Sequence, residues 1–184
     1  LGRQGRVDRH LPCPGVGGWA AGRGADRQFG GQGASLRRRR KRGERTQAIG
    51  RSRGGRTTKI HALTDSECRP LAFLLTGGNV ADCTAADILL DRMPATSILH
   101  GDKGYDSNAV RRKIEDMGAA PNIPPKANRR WKNCFSPTLY RDRNAIERMF
   151  GRIKDYRRIA TRYDKLARNF LAAVCIVATI CYWL

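Results

Sequence analysis

Two acidic residues stand where phosphodiester chemistry could use them. Asp102 follows the apolar run Ser97-Ile98-Leu99 through His100-Gly101, and precedes Lys103-Gly104-Tyr105-Asp106. A carboxylate at the C-terminal end of a strand, beside a glycine turn, points into the crevice where α/β folds bind ligands. An aspartate that merely makes a turn would read the same way. Glu147 lies in YRDRNAIERMFGRIK, residues 140–154. On a helix, Tyr140, Arg143, Glu147 and Lys154 fall within an arc of about 60°, and Ile146, Met149 and Ile153 fall opposite them. One face is therefore core, and the other presents an acid flanked by cations and a phenol. The plain alternative is a surface helix carrying an Arg143–Glu147 pair worth ~0.2–0.5 kcal/mol. The chemistry open to such acids is metal-assisted. Mg²⁺ takes oxygen ligands, and two ions roughly 3.5–4 Å apart activate an attacking oxygen and stabilise a leaving one.

The elements that must position these residues are readable from about residue 56 onward. Thr57–Leu63 alternates and is rich in β-branched residues, Asp65-Ser66 suits a turn, and Pro70–Thr76 is a second apolar run ended by Gly77-Gly78. These predict a hairpin. A helix capped by Asp82 or Thr84 is expected to run to about Met93. Ser97–His100 is a short strand, and Asn108–Met117 a helix ended by Gly118. Ala120–Ile123 fits another short strand, and Pro124 to Lys132 a basic loop. Tyr140 onward reads as one long helix, followed by a last helix in the apolar tail. Strands alternating with helices indicate an α/β layer fold.

The 184 residues suffice for one domain with a real core. The net charge is +20, from 36 Lys and Arg against 16 Asp and Glu. The natural partner for that excess is a polyanion, with nucleic acid foremost. The six cysteines form no Cys-x-x-Cys and have no histidine at zinc-finger spacing, so they read as free thiols in a reducing cytoplasm. No signal peptide is expected. The apolar tail, Phe170–Leu184, is shorter than the roughly 18–20 residues that span a bilayer, so a buried helix is expected and not a membrane partner. His61, on an alternating strand, reads as a packed histidine. His100 is nearer the acids but is not expected to ligate metal. Cys175 and Cys181 read as core.

Longer blocks carry a family resemblance. IGRSRGGRTTKIHALTD (49–65), PLAFLLTGGNVADCTAA (70–86), GDKGYDS (101–107) and RDRNAIERMFGRIKDYRRIATRYDKLARNFLAA (141–173) resemble, in order, the insertion-sequence-five family of bacterial DDE transposases. The resemblance covers residues 44–184 and implies a ribonuclease-H-like fold, a mixed sheet flanked by helices. It implies that Asp102 and Glu147 are the second and third acids of a catalytic triad, both ligating Mg²⁺, with two ions in an intact enzyme. Tyr140, Arg143 and Lys154 would position the transposon end. Arg51, Arg53, Arg56, Lys126, Arg129 and Arg130 would contact the DNA backbone, positioning it without reading sequence. The implied reaction is cleavage at the element's ends, then attack of the freed 3′-hydroxyl on target DNA. The implied partners are double-stranded DNA and further copies of the chain. The rival reading is a non-catalytic nucleic-acid-binding protein living on its charge.

The family's first catalytic aspartate belongs upstream, on a first strand with a context like IDS-x-VVKAH. Residues 1–43 show no such context. They hold 11 Gly and 10 Arg, no Ile, Met, Asn, Thr, Tyr or Glu, and no period of 2 or 3.6. Asp8 and Asp26 follow no apolar strand. One hypothesis is that residues 1–43 are an out-of-frame translation. Shifted by one base, with suitable synonymous codons, ADRQFGGQGASLRRRRKRG (25–43) can encode QIDSSVVKAHRCAAGGKGG. The alternative is a genuine basic arm that grips phosphates. The expectation is a transposase catalytic domain whose first strand is missing and which is inactive as written.

Overall fold

The computed structural model describes residues 16–23, 47–52 and 55–184. The strands are β1 (Val16–Arg23), β2 (Gly50–Ser52), β3 (Gly55–Thr64), β4 (Pro70–Gly77), β5 (Ile98–Gly101) and β6 (Ala120–Asn122). Through the centre of the sheet the order is β4–β3–β1–β5–β6, with β2 pairing the start of β3. β1, β3 and β4 are antiparallel neighbours, whereas β1–β5 and β5–β6 are parallel. This mixed α/β sheet is ribonuclease-H-like.

One expectation is corrected here. The first strand was expected to be missing, yet Val16–Arg23 fills its place between β3 and β5. The segment VGGWAAGR has no amphipathic period to announce it. A central strand is held by ladder hydrogen bonds on both edges, and these are made by backbone whatever the side chains.

Helices cover both faces. They are α1 (Asp82–Leu90), α2 (Asn108–Asp116), α3 (Pro137–Tyr140), α4 (Asn144–Asp155), α5 (Arg157–Ala160) and α6 (Ala167–Tyr182). Side chains of β3 alternate between the faces, as strand geometry requires. Ile60 and Ala62 join the core under α4 and α6, with Ile146, Met149, Phe170 and Val174. Leu63 joins the opposite core under α1 and α2, with Leu89, Leu99, Val110 and Ile114.

Local chemistry explains the boundaries. Asp65 Oδ1 accepts from the backbone N–H groups of Glu67 (3.0 Å) and Arg69 (2.8 Å), closing the β3–β4 turn. Ser107 caps α2 by accepting from Val110 N at 3.2 Å, and Gly118 follows that helix at φ +81°. Neither Asp82 nor Thr84 caps α1. The residue before the helix is Ala81, which makes no side-chain cap, and α1 stops at Leu90, short of Met93. Asp82 occupies the first turn, where its charge suits the helix dipole, and pairs with Lys59 at 2.8 Å.

The helix expected from Tyr140 is also not continuous. α3 ends at Tyr140, a 3₁₀ turn spans Arg141–Arg143, and α4 then runs on. The tighter turn rotates Tyr140 relative to Glu147. In α6, Phe170, Val174, Val177 and Ala178 are buried. Cys175 is exposed and off that stripe, so it is not core, whereas Cys181 is half-buried and packs against this core. Among the described residues, no helix is long and apolar enough to cross a membrane.

Candidate active site

Asp102 leaves the end of β5 in extended conformation and opens the 3₁₀ turn Lys103–Tyr105. The apolar β5 strand fixes its backbone, since Leu99 is fully buried. Glu147 sits in the first turn of α4, and the burial of Ile146, Met149, Phe150 and Ile153 fixes which way that helix faces. The charged stripe therefore turns toward Asp102.

Arg143 joins the two acids. Its Nε contacts Asp102 Oδ1, and its Nη2 donates to Glu147 Oε1 at 2.8 Å. The Tyr140 hydroxyl donates to the same Asp102 Oδ1 at 3.1 Å. The Arg143 guanidinium lies 5.4 Å from the centre of the Tyr140 ring, a cation–π distance. Phe135 meets the other side of the cluster, edge-on to Tyr140 at 5.1 Å. Burial raises the Asp102 pKa above the ordinary aspartate value, against the pull of Arg143 and Tyr140. Burial likewise raises the Tyr140 hydroxyl, and the Asp102 charge raises it further, so the phenol stays a donor. Asp102 and three of the four residues expected from helical spacing, Tyr140, Arg143 and Glu147, thus form one cluster. Lys154 lies further along α4 and is half-buried.

The expected backbone contacts are distributed differently. Arg51 and Arg56 are register partners across the β2–β3 hairpin, and both are exposed. Arg53 lies outside the described residues. In the segment after β6, Arg130 is exposed and Lys126 half-buried. Arg129 is bonded within the chain. Its Nε donates to Asp106 Oδ2 at 2.6 Å and its Nη1 to Asn108 Oδ1 at 2.6 Å.

Sequence reasoning missed Asp106. Its carboxylate is buried and accepts from Arg111 Nε (2.8 Å), Arg129 Nε and the Lys126 backbone N–H (2.7 Å). Burial alone would raise its pKa, but these donors hold it below the ordinary value. No local signal could have found it, because the donors come from 5, 20 and 23 residues away. His61 is the packed histidine expected, with Nδ1 2.7 Å from the Tyr105 hydroxyl and Nε2 2.8 Å from Thr76 Oγ1. His100 Nδ1 is 2.9 Å from Asn122 Nδ2.

The Transposase DDE domain pattern matches residues 29–184. The chain belongs to the DDE transposase family. This transposase domain is 32% identical over 129 residues to a putative transposase for insertion sequence element IS6501 of Brucella ovis, covering 70% of this chain and 98% of that protein. It is 34% identical over 121 residues to a putative transposase for IS402 of Burkholderia cepacia, covering 60% of this chain and 55% of that protein. It thus spans nearly all of the first relative and about half of the second. The catalytic core domain of BIV integrase aligns over 88% of this chain and 80% of that one, at 10% identity and a TM-score of 0.45.

Transposases of this family act on DNA and use divalent cations. Asp102 and Glu147 supply the hard oxygen donors Mg²⁺ prefers. A two-ion centre needs more, and the natural source is the strand beside β5. Gly101 pairs with Trp19 of β1, and the β1 segment VGGWAAGR contains no acid. Among the described residues, no three His, Cys, Asp or Glu side chains gather to hold a metal. Among the described residues, β1 brings no carboxylate beside Asp102, and the donor set they present does not fit a two-metal centre.

Proposed function

We propose that this chain is the catalytic domain of an insertion-sequence transposase that binds transposon-end DNA but does not cut it as written. The observation that carries the reading is Arg143, which touches both Asp102 and Glu147 and so brings the two acids to one crevice. Asp102 and Glu147 are the second and third catalytic acids, and Tyr140, Arg143 and Lys154 position the DNA end. Arg51, Arg53, Arg56, Lys126 and Arg130 supply phosphate contacts. The ancestral reaction is Mg²⁺-dependent cleavage at the element's ends, followed by strand transfer of the freed 3′-hydroxyl in a multimer holding two ends.

The proposal includes the origin of the defect. Residues 1–43 are read in the wrong frame, and the first acid is hidden in the codons for Arg27 and Gln28. The gene must then read GAT at Asp26 and end in A at Arg27, because any other third base at Arg27 removes the hidden aspartate.

The test has two parts. The purified chain should bind end DNA with an affinity that falls steeply with salt, and should release no cut product with Mg²⁺. A chain in which QIDSSVVKAHRCAAGGKGG replaces residues 25–43 should cut, and Glu147→Gln in it should abolish cutting but keep salt-sensitive binding. Cutting by the unrepaired chain would refute the defect. Cutting unchanged by Glu147→Gln would refute the site. A binder without catalytic ancestry would gain no cutting from the repair.

A further inference from the structure

We propose that the outer face of α6 is an interface between two copies of this chain, which pair antiparallel about a two-fold axis near Ile176. The inference rests on the multimer in the reading above and names the contact that builds it.

α6 and the residue after it are apolar on two opposite sides. Phe170, Val174, Val177 and Ala178 are buried in the core. Ala172, Cys175, Ile176, Thr179, Ile180 and Trp183 are exposed, at the spacing of a second helical stripe. Ile176 is 60% exposed and Ile180 47%. The polar atoms on this stripe already have partners. Thr179 Oγ1 donates to Cys175 O at 3.0 Å, and Trp183 Nε1 donates to Pro70 O at 3.3 Å. A helix apolar all round is a buried helix. Among the described residues, no helix is long and apolar enough to cross a membrane. Protein is therefore the natural cover for the outer stripe.

Charge decides which protein. The chain carries +20, so two copies repel over most of their surfaces. Residues 169–184 contain no charged side chain. Two copies can meet there without setting cation against cation. Residues 1–43 are a poor cover from within the chain, because they hold 10 Arg and no helical or strand period. The stripe also complements itself. In an antiparallel pair centred on Ile176, the small Ala172 meets the partner's Ile180, and Cys175 lies beside the partner's Ile176. The exposed Arg168 then reaches the C-terminal end of the partner's helix, where a cation is favoured. A parallel pair would set the two Arg168 side chains against each other. A pair of helices ~24 Å long buries less than the ~1,600 Å² of a standard interface, so the free dimer is weak.

The experiment uses the full chain without DNA. Sedimentation from about 1 to about 100 µM should show monomer giving way to dimer. Raising salt screens the repulsion between copies, so the dimer should strengthen, whereas association bridged by nucleic acid would weaken. Ile176→Glu sets two carboxylates together at the axis and should weaken dimerisation by ~10-fold or more. Because the side chain is exposed, the melt of this variant in dilute solution should match the wild type. Ile176→Leu should still dimerise. With Cys13 and the exposed Cys134 changed to serine, a short bismaleimide should link two chains through Cys175, and Cys175→Ser should abolish the link. A chain that stays monomeric over this range, a dimer that survives Ile176→Glu, or no link at Cys175 would overturn the proposal. So would a dilute monomer whose Cys175 resists maleimide, which would show the chain covering its own stripe, or flotation with phosphatidylcholine vesicles, which would assign the stripe to lipid. A dimer that binds no end DNA leaves the interface standing and sinks the DNA-binding reading alone.

Discussion

Tyr140 donates its hydroxyl proton to Asp102 across 38 residues of sequence, at 3.1 Å. The contact ties the end of α3 to the end of β5, and it fixes the carboxylate before any DNA arrives. Tyr140→Phe removes this donor while keeping the ring that packs against Phe135 and Arg143. The expected cost is about 1 kcal/mol in urea unfolding. A double-mutant cycle with Asp102→Asn should return a coupling of the same sign and roughly 0.5–1.5 kcal/mol. Strict additivity of the two changes would show that the contact contributes nothing.

Asp106 is the larger structural commitment. Its side chain is fully buried and shared between Arg111, itself 4% exposed, and Arg129, 18% exposed. Asp106→Ala leaves the buried Arg111 guanidinium without its anion, and should cost ~3–5 kcal/mol. It should also free the loop after β6, making peptide bonds near Lys126–Lys132 sensitive to trypsin under native conditions. A variant as stable and as protease-resistant as the wild type would refute the bracing role.

His61 gives the fold a pH signature. Burial drives its pKa from 6.5 to about 4, outweighing the Asp82 charge that raises it. As pH falls below the unfolded value, the unfolded chain takes up a proton that the folded chain refuses. Stability therefore declines between pH 6.5 and about 4, by roughly 3 kcal/mol from this group, and its contribution levels off below that. Denaturant titrations of wild type and His61→Gln across this window should converge as the pH drops. Parallel curves would contradict the assignment.

Two glycines should respond oppositely to alanine. A Cβ on Gly104 would lie 2.3 Å from Asp82 Oδ2, and Lys59 holds that carboxylate in place. Gly104→Ala should destabilise by ~1–3 kcal/mol and disturb the turn that carries Asp102. Gly151, inside α4, would place its Cβ in open space. Gly151→Ala should stabilise by ~0.5–1 kcal/mol. Thermal melts read both, and the same sign for the pair would contradict the packing around Gly104.

The amino-acid sequence alone carried the hairpin of β3 and β4, the strand before Asp102, and the buried face of α4. Those elements announce themselves because their apolar residues recur with the period of the structure they adopt, so Ile146, Met149 and Ile153 oppose Arg143 and Glu147 before any fold is known. It also carried the family, through blocks kept in order along the chain. Tertiary structure alone decided that VGGWAAGR sits at the centre of the sheet, because a strand bonded on both edges by backbone needs no side-chain pattern. It alone showed Arg129 bracing the loop after β6, and singled out Asp106 and the exposed Trp131. A buried carboxylate is defined by donors distant in sequence, and an exposed indole by what fails to cover it, and neither leaves a periodic trace in the chain.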